Sequence, residues 1–211
     1  MKPRRGLFLV LEGLDGAGTT TQAARLCAWL AARGRRVHLT AEPSRGPVGT
    51  WIRHVLSGRL RGAGGGEFDP GALALLFAAD RLDHWESEIR PRLAEGCDVV
   101  SDRYVLSSLA YQAVSTGDAA WVAALNGRAP APDLTLFLRV RPAVALRRRY
   151  AATAEREIFE VPAFQRKVHR AYGRALGRIV AAGERVADLP GERPVEQVAE
   201  SIARAVEELL P

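Results

Sequence analysis

Apolar residues gather in five short runs along the chain: LFLVLE (7–12), RVHLT (36–40), DVVSD (98–102), LTLFLRV (134–140) and RVADL (185–189). None alternates strictly between apolar and polar positions, which is the pattern of strands buried on both faces. Stretches of helical period separate the runs, over 19–33, 48–56, 70–95, 105–115, 119–126, 142–150, 163–182 and 195–209. Strand and helix in alternation predict an α/β fold of three layers, a parallel sheet flanked by helices. No period recurs, which speaks against a repeat architecture. The Gly-rich insert GRLRGAGGGEFD (58–69) predicts a mobile surface loop. The pattern resumes after it, so residues 1–211 read as a single domain.

Composition narrows the class. A chain of 211 residues, 47% hydrophobic and 26% charged, is long enough to bury a full core and ordinary for a soluble globular protein. No apolar run reaches the length of a membrane span, and MKPRRG leads directly into the first strand rather than resembling a signal peptide. Cys27 and Cys97 lie in apolar-patterned segments without ligand spacing and read as buried free thiols. Together these features predict a cytoplasmic protein. A net charge of +6 and a pI near 10 invite a nucleic-acid reading. Against it, only Lys2 and Lys167 among the 30 basic residues are lysine, and Ala and Arg are both abundant, as in a genome-wide bias. Zinc spacing and an RNP-type aromatic signature are both missing. The arginines concentrate in 139–178, where small phosphorylated substrates account for them as well as a polymer does.

The first run opens the richest motif, FLVLEGLDGAGTTTQ (8–22). Gly13, Gly18 and Thr20 fit G-x-x-x-x-G-K-[ST], with Thr19 standing at the lysine position and a strand before and a helix after. Along Gly13, Leu14, Asp15, Gly16, Ala17, Gly18, Thr19, Thr20 and Thr21, the glycines would let successive backbone N–H groups turn inward around an anion. The helix beginning near Thr19 adds its unpaired N–H groups and positive dipole end. Thr20 is where a hydroxyl would join a Mg²⁺ shell. The plainer alternative is a tight turn with Thr19 capping the helix; the full spacing favours phosphate. A donor aimed at developing charge is worth roughly 2.7–4 kcal/mol, and an arginine finger about 10³–10⁵ in rate. Either another cation replaces the lysine or catalysis is impaired.

Further motifs follow: TAEPSRGPVG (40–49), LLFAADRLDH (75–84), VVSDRYVLSSLAYQ (99–112), PDLTLFLRVRPAVALRRR (132–149) and FQRKVHRAYGRAL (164–176). With the phosphate loop they stand in the order and spacing of thymidylate kinases, and the chain resembles that family over nearly its whole length. The DRYxxSSxAYQ segment is far more specific than the phosphate loop. The resemblance implies the P-loop nucleoside monophosphate kinase fold, five parallel strands flanked by helices with a lid. It implies transfer of the ATP γ-phosphate to dTMP with Mg²⁺, giving dTDP on the route to dTTP. The expected partners are ATP and dTMP, with no nucleic acid or membrane. It also implies a homodimer, for which the helices over 70–95 and 105–115 are candidate faces.

Single residues carry plausible chemistry. Phe77 and Arg81 are four apart and share a helix face. Phe77 could stack on a pyrimidine or pack in the core; Arg81 could donate to a ring oxygen or pair with Asp80 or Asp83. Asp102 ends a buried strand, where it could hold a Mg²⁺-bound water. Arg103 could bind two oxygens of an acceptor phosphate. Ser107, Ser108, Tyr111 and Gln112 fall within two turns of the next helix. The resemblance implies that Ser108 and Gln112 flank the base and Tyr111 covers the sugar where a ribose 2′-OH would sit. It also implies that Pro43 shapes the pocket near the thymine methyl and Asp15 lies near the acceptor 3′-OH and the metal shell.

The chain departs from the family pattern at Thr19, at Ala41 in TAEP, and at Arg139 and Arg141 in LRVRP. Arg45 is close enough in sequence to supply the guanidinium lost at Ala41, and the two strand substitutions read as surface changes. Gly16 stands where some relatives carry a loop arginine, so the chain resembles the type whose lid supplies arginines. The lid candidate is RRRYAATAEREIFE (147–160), with Arg148, Arg149 and Arg156 expected over the triphosphate. Arg149 and Arg156 are seven apart, on one face if the segment is helical. Two other readings remain open at this point: a catalytically weak nucleotide-binding regulator, and a kinase for another nucleotide such as dUMP or for a deoxynucleoside.

Overall fold

FLVLEG forms strand β1, Phe8–Gly13, with every residue buried. Leu9 and Leu11 enter the larger core, while Phe8 and Val10 pack on the opposite side against Ile89, Leu93, Val99 and Tyr104. Both faces of the strand are covered, which is why its sequence does not alternate. The computed structural model describes residues 5–152, 158–159 and 161–210.

In chain order the remaining elements are α1 (Thr19–Ala31), β2 (Val37–Ala41), α2 (Pro47–Leu56), α3 (Pro70–His84), α4 (Arg90–Ala94), β3 (Asp98–Asp102), α5 (Val105–Thr116), α6 (Ala119–Leu125), β4 (Leu134–Arg139), α7 (Pro142–Ala152), α8 (Pro162–Ala181), β5 (Val186–Pro190) and α9 (Val195–Glu207). The five strands pair in parallel in the order β2-β3-β1-β4-β5, the expected sheet flanked by helices. The helix expected over 70–95 is interrupted by a π-helical stretch, Trp85–Ile89, between α3 and α4. Asp69 starts α3 by accepting from Ala72 N at 2.8 Å, with Pro70 in the first turn. The insert over 58–69 carries a short 3₁₀ turn, Ala63–Gly65. Among the described residues, no helix is long and apolar enough to cross a membrane.

Topology decides where a ligand can bind. The chain leaves β1 toward β2 on one side and leaves β3 toward β4 on the other. The crevice at such a reversal, beyond the strand C-termini, is the binding position of open parallel sheets. Register brings Asp102 beside both Leu11 and Ala41, so the ends of β1, β2 and β3 open on one place.

Candidate active site

A cleft of about 1130 Å³ occupies that crevice. Its floor is the loop from Asp15 to Thr21, which runs into α1. Gly18 precedes the helix in the left-handed conformation (φ 95°), so the start is set by glycine and not by a Thr19 side-chain cap. Thr19 is buried and lines the cleft at the first helical position. Gly16 also has positive φ (85°), and a Cβ there would fall 2.1 Å from the Ala145 carbonyl oxygen of α7. The phosphate loop and α7 thus touch backbone to backbone, and any side chain at 16, an arginine included, would force them apart. Leu14 is buried beneath the loop, and Gly13 O accepts from Arg103 at 3.0 Å and from the Tyr172 hydroxyl at 3.0 Å.

At the end of β3 the Thr20 hydroxyl donates to Asp102 Oδ2 at 2.5 Å. Asp102 Oδ1 is buried without a hydrogen-bond partner. A carboxylate oxygen left unpaired beside a hydroxyl fits a hydrated divalent cation that takes its other ligands from water and phosphate. Among the described residues no group of three or more His, Cys, Asp or Glu could hold a metal; Thr20 and Asp102 are an adjoining donor pair at the start of α1.

Arg103 follows Asp102 with φ 75°, unusual for a side chain with a Cβ. Its NH2 donates to Asp15 Oδ1 at 2.5 Å and its NH1 to Ser107 Oγ at 3.0 Å. Burial acts most strongly, against its charge, but Asp15 together with Tyr111, Tyr172 and Asp102 outweighs it, so the guanidinium stays protonated. Buried Glu12 holds the surrounding turn: Oε1 accepts from Tyr104 N at 2.9 Å and Ser107 N at 3.0 Å, and Oε2 from Ser107 Oγ at 2.6 Å. A carboxylate from β1 thereby caps α5, whose own N-cap residue supplies no side-chain bond. Burial raises the Glu12 pKa despite Arg103 nearby. Tyr111 accepts from Asp15 N at 3.1 Å, and burial, with Asp15 beside it, pushes its phenol up.

On the other wall, half-buried Phe77 faces the cleft beside Pro43 and Gln112. Arg81 is 1% exposed. It pairs with neither Asp80 nor Asp83: Nε and NH2 donate to Glu42 Oε2 at 2.9 and 2.6 Å. NH2 also reaches Tyr104 O and Ser108 Oγ, both at 3.1 Å, and NH1 bonds Asn126 Oδ1. Of its five N–H groups, one on NH1 is left for a ligand among these contacts. Ser108 stands behind the wall as a support for Arg81, while Ser107 lines the cleft.

The third wall comes from α7 and the β5–α9 loop. Arg149 lines the cleft next to Gly16. Arg148 also lines it, but its NH1 donates to Gly191 O at 2.8 Å, which ties it to the β5–α9 loop rather than to the phosphate loop. Arg141 chelates Glu192 of the same loop, with contacts of 2.6 to 3.0 Å, and holds its carboxyl down at about 2. Arg139 bonds Asp188 of β5. The two substituted strand positions are exposed but organise this loop. Arg156 lies outside the described residues, as do the other residues of 153–157 and Glu160.

Several cleft residues carried no motif. Arg53 of α2 lines the cleft and donates to Pro43 O at 3.1 Å and to Ser44 O. It stands where Arg45, exposed and not part of the lining, was expected to act. Phe159 also lines the cleft, stacked on Phe164 at 5.1 Å. Buried Gln165 donates to both Phe159 O (2.9 Å) and Asp15 Oδ2 (3.1 Å). Gln165 sits in the quoted FQRKV stretch, so a signal for it existed; for Arg53 only its place one turn before the end of α2 pointed inward.

A glycine-rich loop at a helix start, a carboxylate with an unpaired oxygen and a buried arginine share one cleft. A model of the thymidylate kinase family matches residues 11–202. The chain belongs to the thymidylate kinase family. A probable thymidylate kinase of Pyrobaculum calidifontis is 39% identical over 95% of this chain and 96% of its own length. A putative thymidylate kinase of Aeropyrum pernix is 41% identical over 96% of this chain and 97% of its own. A probable thymidylate kinase of Thermococcus kodakarensis is 42% identical over 79% of this chain and 82% of its own. The sheet order and phosphate loop are accordingly those of a P-loop thymidylate kinase fold.

Proposed function

We propose that the protein transfers the γ-phosphoryl group of ATP to the phosphate of dTMP, giving ADP and dTDP. The observation that carries this is Arg81: a buried guanidinium with one N–H to spare, one turn from Phe77 on the same face of α3, in the same cleft as the phosphate loop. A stacked pyrimidine with a ring oxygen toward NH1 satisfies both residues. Tyr111, packed at the edge of Asp15, covers the sugar, and Gln112, Ser107 and Pro43 complete the acceptor side.

Phosphoryl transfer between two polyanions needs positioning and positive charge more than covalent help. The N–H groups of Gly16, Gly18, Thr19 and Thr20 hold the donor phosphates at the N-terminus of α1, those of Asp15 and Ala17 being taken by Tyr111 and Leu14. Arg103 presents the acceptor phosphate, itself aimed by Asp15 and Ser107. Arg149, and by the same reading Arg156, bring charge to the transferring group in place of the absent lysine. Thr20 and Asp102 would hold Mg²⁺, which would supply positive charge against the phosphates. Arg148 belongs at the nucleoside end of ATP, beside Gly191.

The same reading takes the chain as one domain with a lid at about 147–160, acting in the cytoplasm as a homodimer. Exposed Leu75 and Leu82, seven apart on α3, support α3 as the dimer face. ADP release, measured with ATP and Mg²⁺ across nucleoside monophosphates, tests the function. Turnover with dTMP well above dUMP and dCMP is expected; equal turnover, or none with dTMP, would reject it.

A further inference from the structure

Arg81 and Glu42 are held by a third buried residue that no phosphate or base contact explains. His84, one turn beyond Arg81 on α3, has a fully buried side chain. Its Nδ1 lies 3.5 Å from Glu42 Oε1, and both atoms are buried without another partner. Two orphaned polar atoms in the interior are each costly, and a contraction of a few tenths of an ångström joins them. On the far side, His84 Nε2 meets Thr40 Oγ1 at 2.7 Å. Glu88 Oε2 is 3.8 Å from Nε2, and Glu88 Oε1 in turn meets His38 Nε2 at 2.6 Å. These are the charged and titratable groups that face the ring from β2, α3 and the π-helical stretch.

The chemistry fixes the direction of the bond. A carboxylate oxygen only accepts, so Nδ1 must carry the proton; Nε2 is then free to accept from Thr40. Glu42 Oε2 already takes two bonds from Arg81, and Oε1 is the one point from which the carboxylate plane can be fixed. A carboxylate held at both oxygens holds the guanidinium, and the spare NH1 group keeps its aim into the cleft.

We propose that His84 is a positioning residue for nucleobase recognition: through Nδ1–H it orients Glu42, which orients Arg81. This rests on the dTMP reading above. His84 itself does not line the cleft and touches no substrate.

The test uses two isosteric substitutions. His84→Asn keeps an N–H at the Nδ1 position and removes the Thr40 link; His84→Gln keeps a polar group at the Nε2 position, whose amide oxygen can accept from Thr40, and removes the inner N–H. His84→Gln is expected to raise KM for dTMP about tenfold, the worth of one buried hydrogen bond, with kcat and KM for ATP near wild type. His84→Asn is expected to stay within about twofold of wild type. If the two variants behave alike, or if kcat and KM for ATP shift together with KM for dTMP, the role is overturned while the dTMP reading stands. A wild-type enzyme inactive on dTMP overturns both. Should His84→Gln not fold, ring ¹⁵N shifts of wild-type His84 decide: a protonated Nδ1 that responds to dTMP supports the role, and an unprotonated one overturns it.

Discussion

The Thr20 hydroxyl, in the first turn of α1, and the Asp102 carboxylate, at the end of β3, meet at 2.5 Å beside the phosphate loop, and Asp102 keeps one buried oxygen unpaired. A side chain that retains shape but loses charge separates its electrostatic role from packing. Asp102→Asn is expected to lower kcat roughly 10²–10³-fold, the value of one group that stabilises developing charge. It should also raise the Mg²⁺ concentration needed for half-maximal ADP release, with KM for dTMP little changed. An unaltered Mg²⁺ titration would remove Asp102 from the metal shell.

Gly16 makes the second prediction. With φ 85° and a would-be Cβ 2.1 Å from Ala145 O, it admits no side chain without parting the phosphate loop from α7. Gly16→Ala is expected to cost about 3 kcal/mol from overpacking and left-handed strain, a fall in Tm of about 6–12 °C for a chain this size. KM for ATP should rise more than KM for dTMP, because Arg149 rides on the displaced helix. A variant with wild-type Tm would show that α7 yields freely.

The fold was largely legible because both faces of its central strands are buried, and continuous apolar runs mark such strands directly. The π-helical stretch over Trp85–Ile89 left no trace in the period, since it shifts the register by one residue without changing composition. Much of the cleft was legible as well, since Thr20, Asp102, Phe77 and Arg81 fall at fixed places in motifs. What escaped were residues whose partners lie far away in sequence. Arg81 reads as a donor to a ring oxygen or a partner for Asp80 or Asp83; that Glu42, 39 positions away, holds it could not be read locally. Arg53 reaches the cleft from α2, and Gln165 reaches Asp15 from α8, 150 positions on. Arg139 and Arg141 read as surface changes, and exposed they are. Their partners Asp188 and Glu192 sit about 50 positions on, and no local pattern announces such pairs.

Thr19 and Arg149 make a coupled prediction. Both line the cleft at the phosphate loop, one buried and neutral, the other cationic on α7. If Arg149 supplies the charge that a loop lysine would bring, Arg149→Ala should lower kcat about 10²–10³-fold. In that background Thr19→Lys should restore at least about tenfold, whereas in the wild type it should change kcat by less than about threefold. Single-turnover rates at saturating ATP and dTMP give the cycle. Strict additivity of the two substitutions would mean that the two positions serve different steps.

Glu12 makes the last prediction, one of stability against pH. Burial holds its pKa above the ordinary 4.5 in the folded protein, against the pull of Arg103 and its hydrogen bonds from Ser107 and Tyr104. The native state therefore keeps this proton to higher pH than the unfolded chain. Where the native state binds more protons, stability falls as pH rises. Below 4.5 both states are protonated and Glu12 contributes nothing; above its raised value the loss is complete and constant. Glu12→Gln removes the titration and keeps one acceptor oxygen for Tyr104 N and Ser107 N, with a fixed penalty for the altered bonds at Oε2, which accepts from Ser107 Oγ and, at 3.1 Å, from the Tyr172 hydroxyl. The difference in Tm, variant minus wild type, should therefore become more favourable to the variant as pH rises from about 4 to 8. Melting curves that run parallel across that range would show that Glu12 ionises as readily inside the protein as outside it, and that its four hydrogen bonds fully offset its burial.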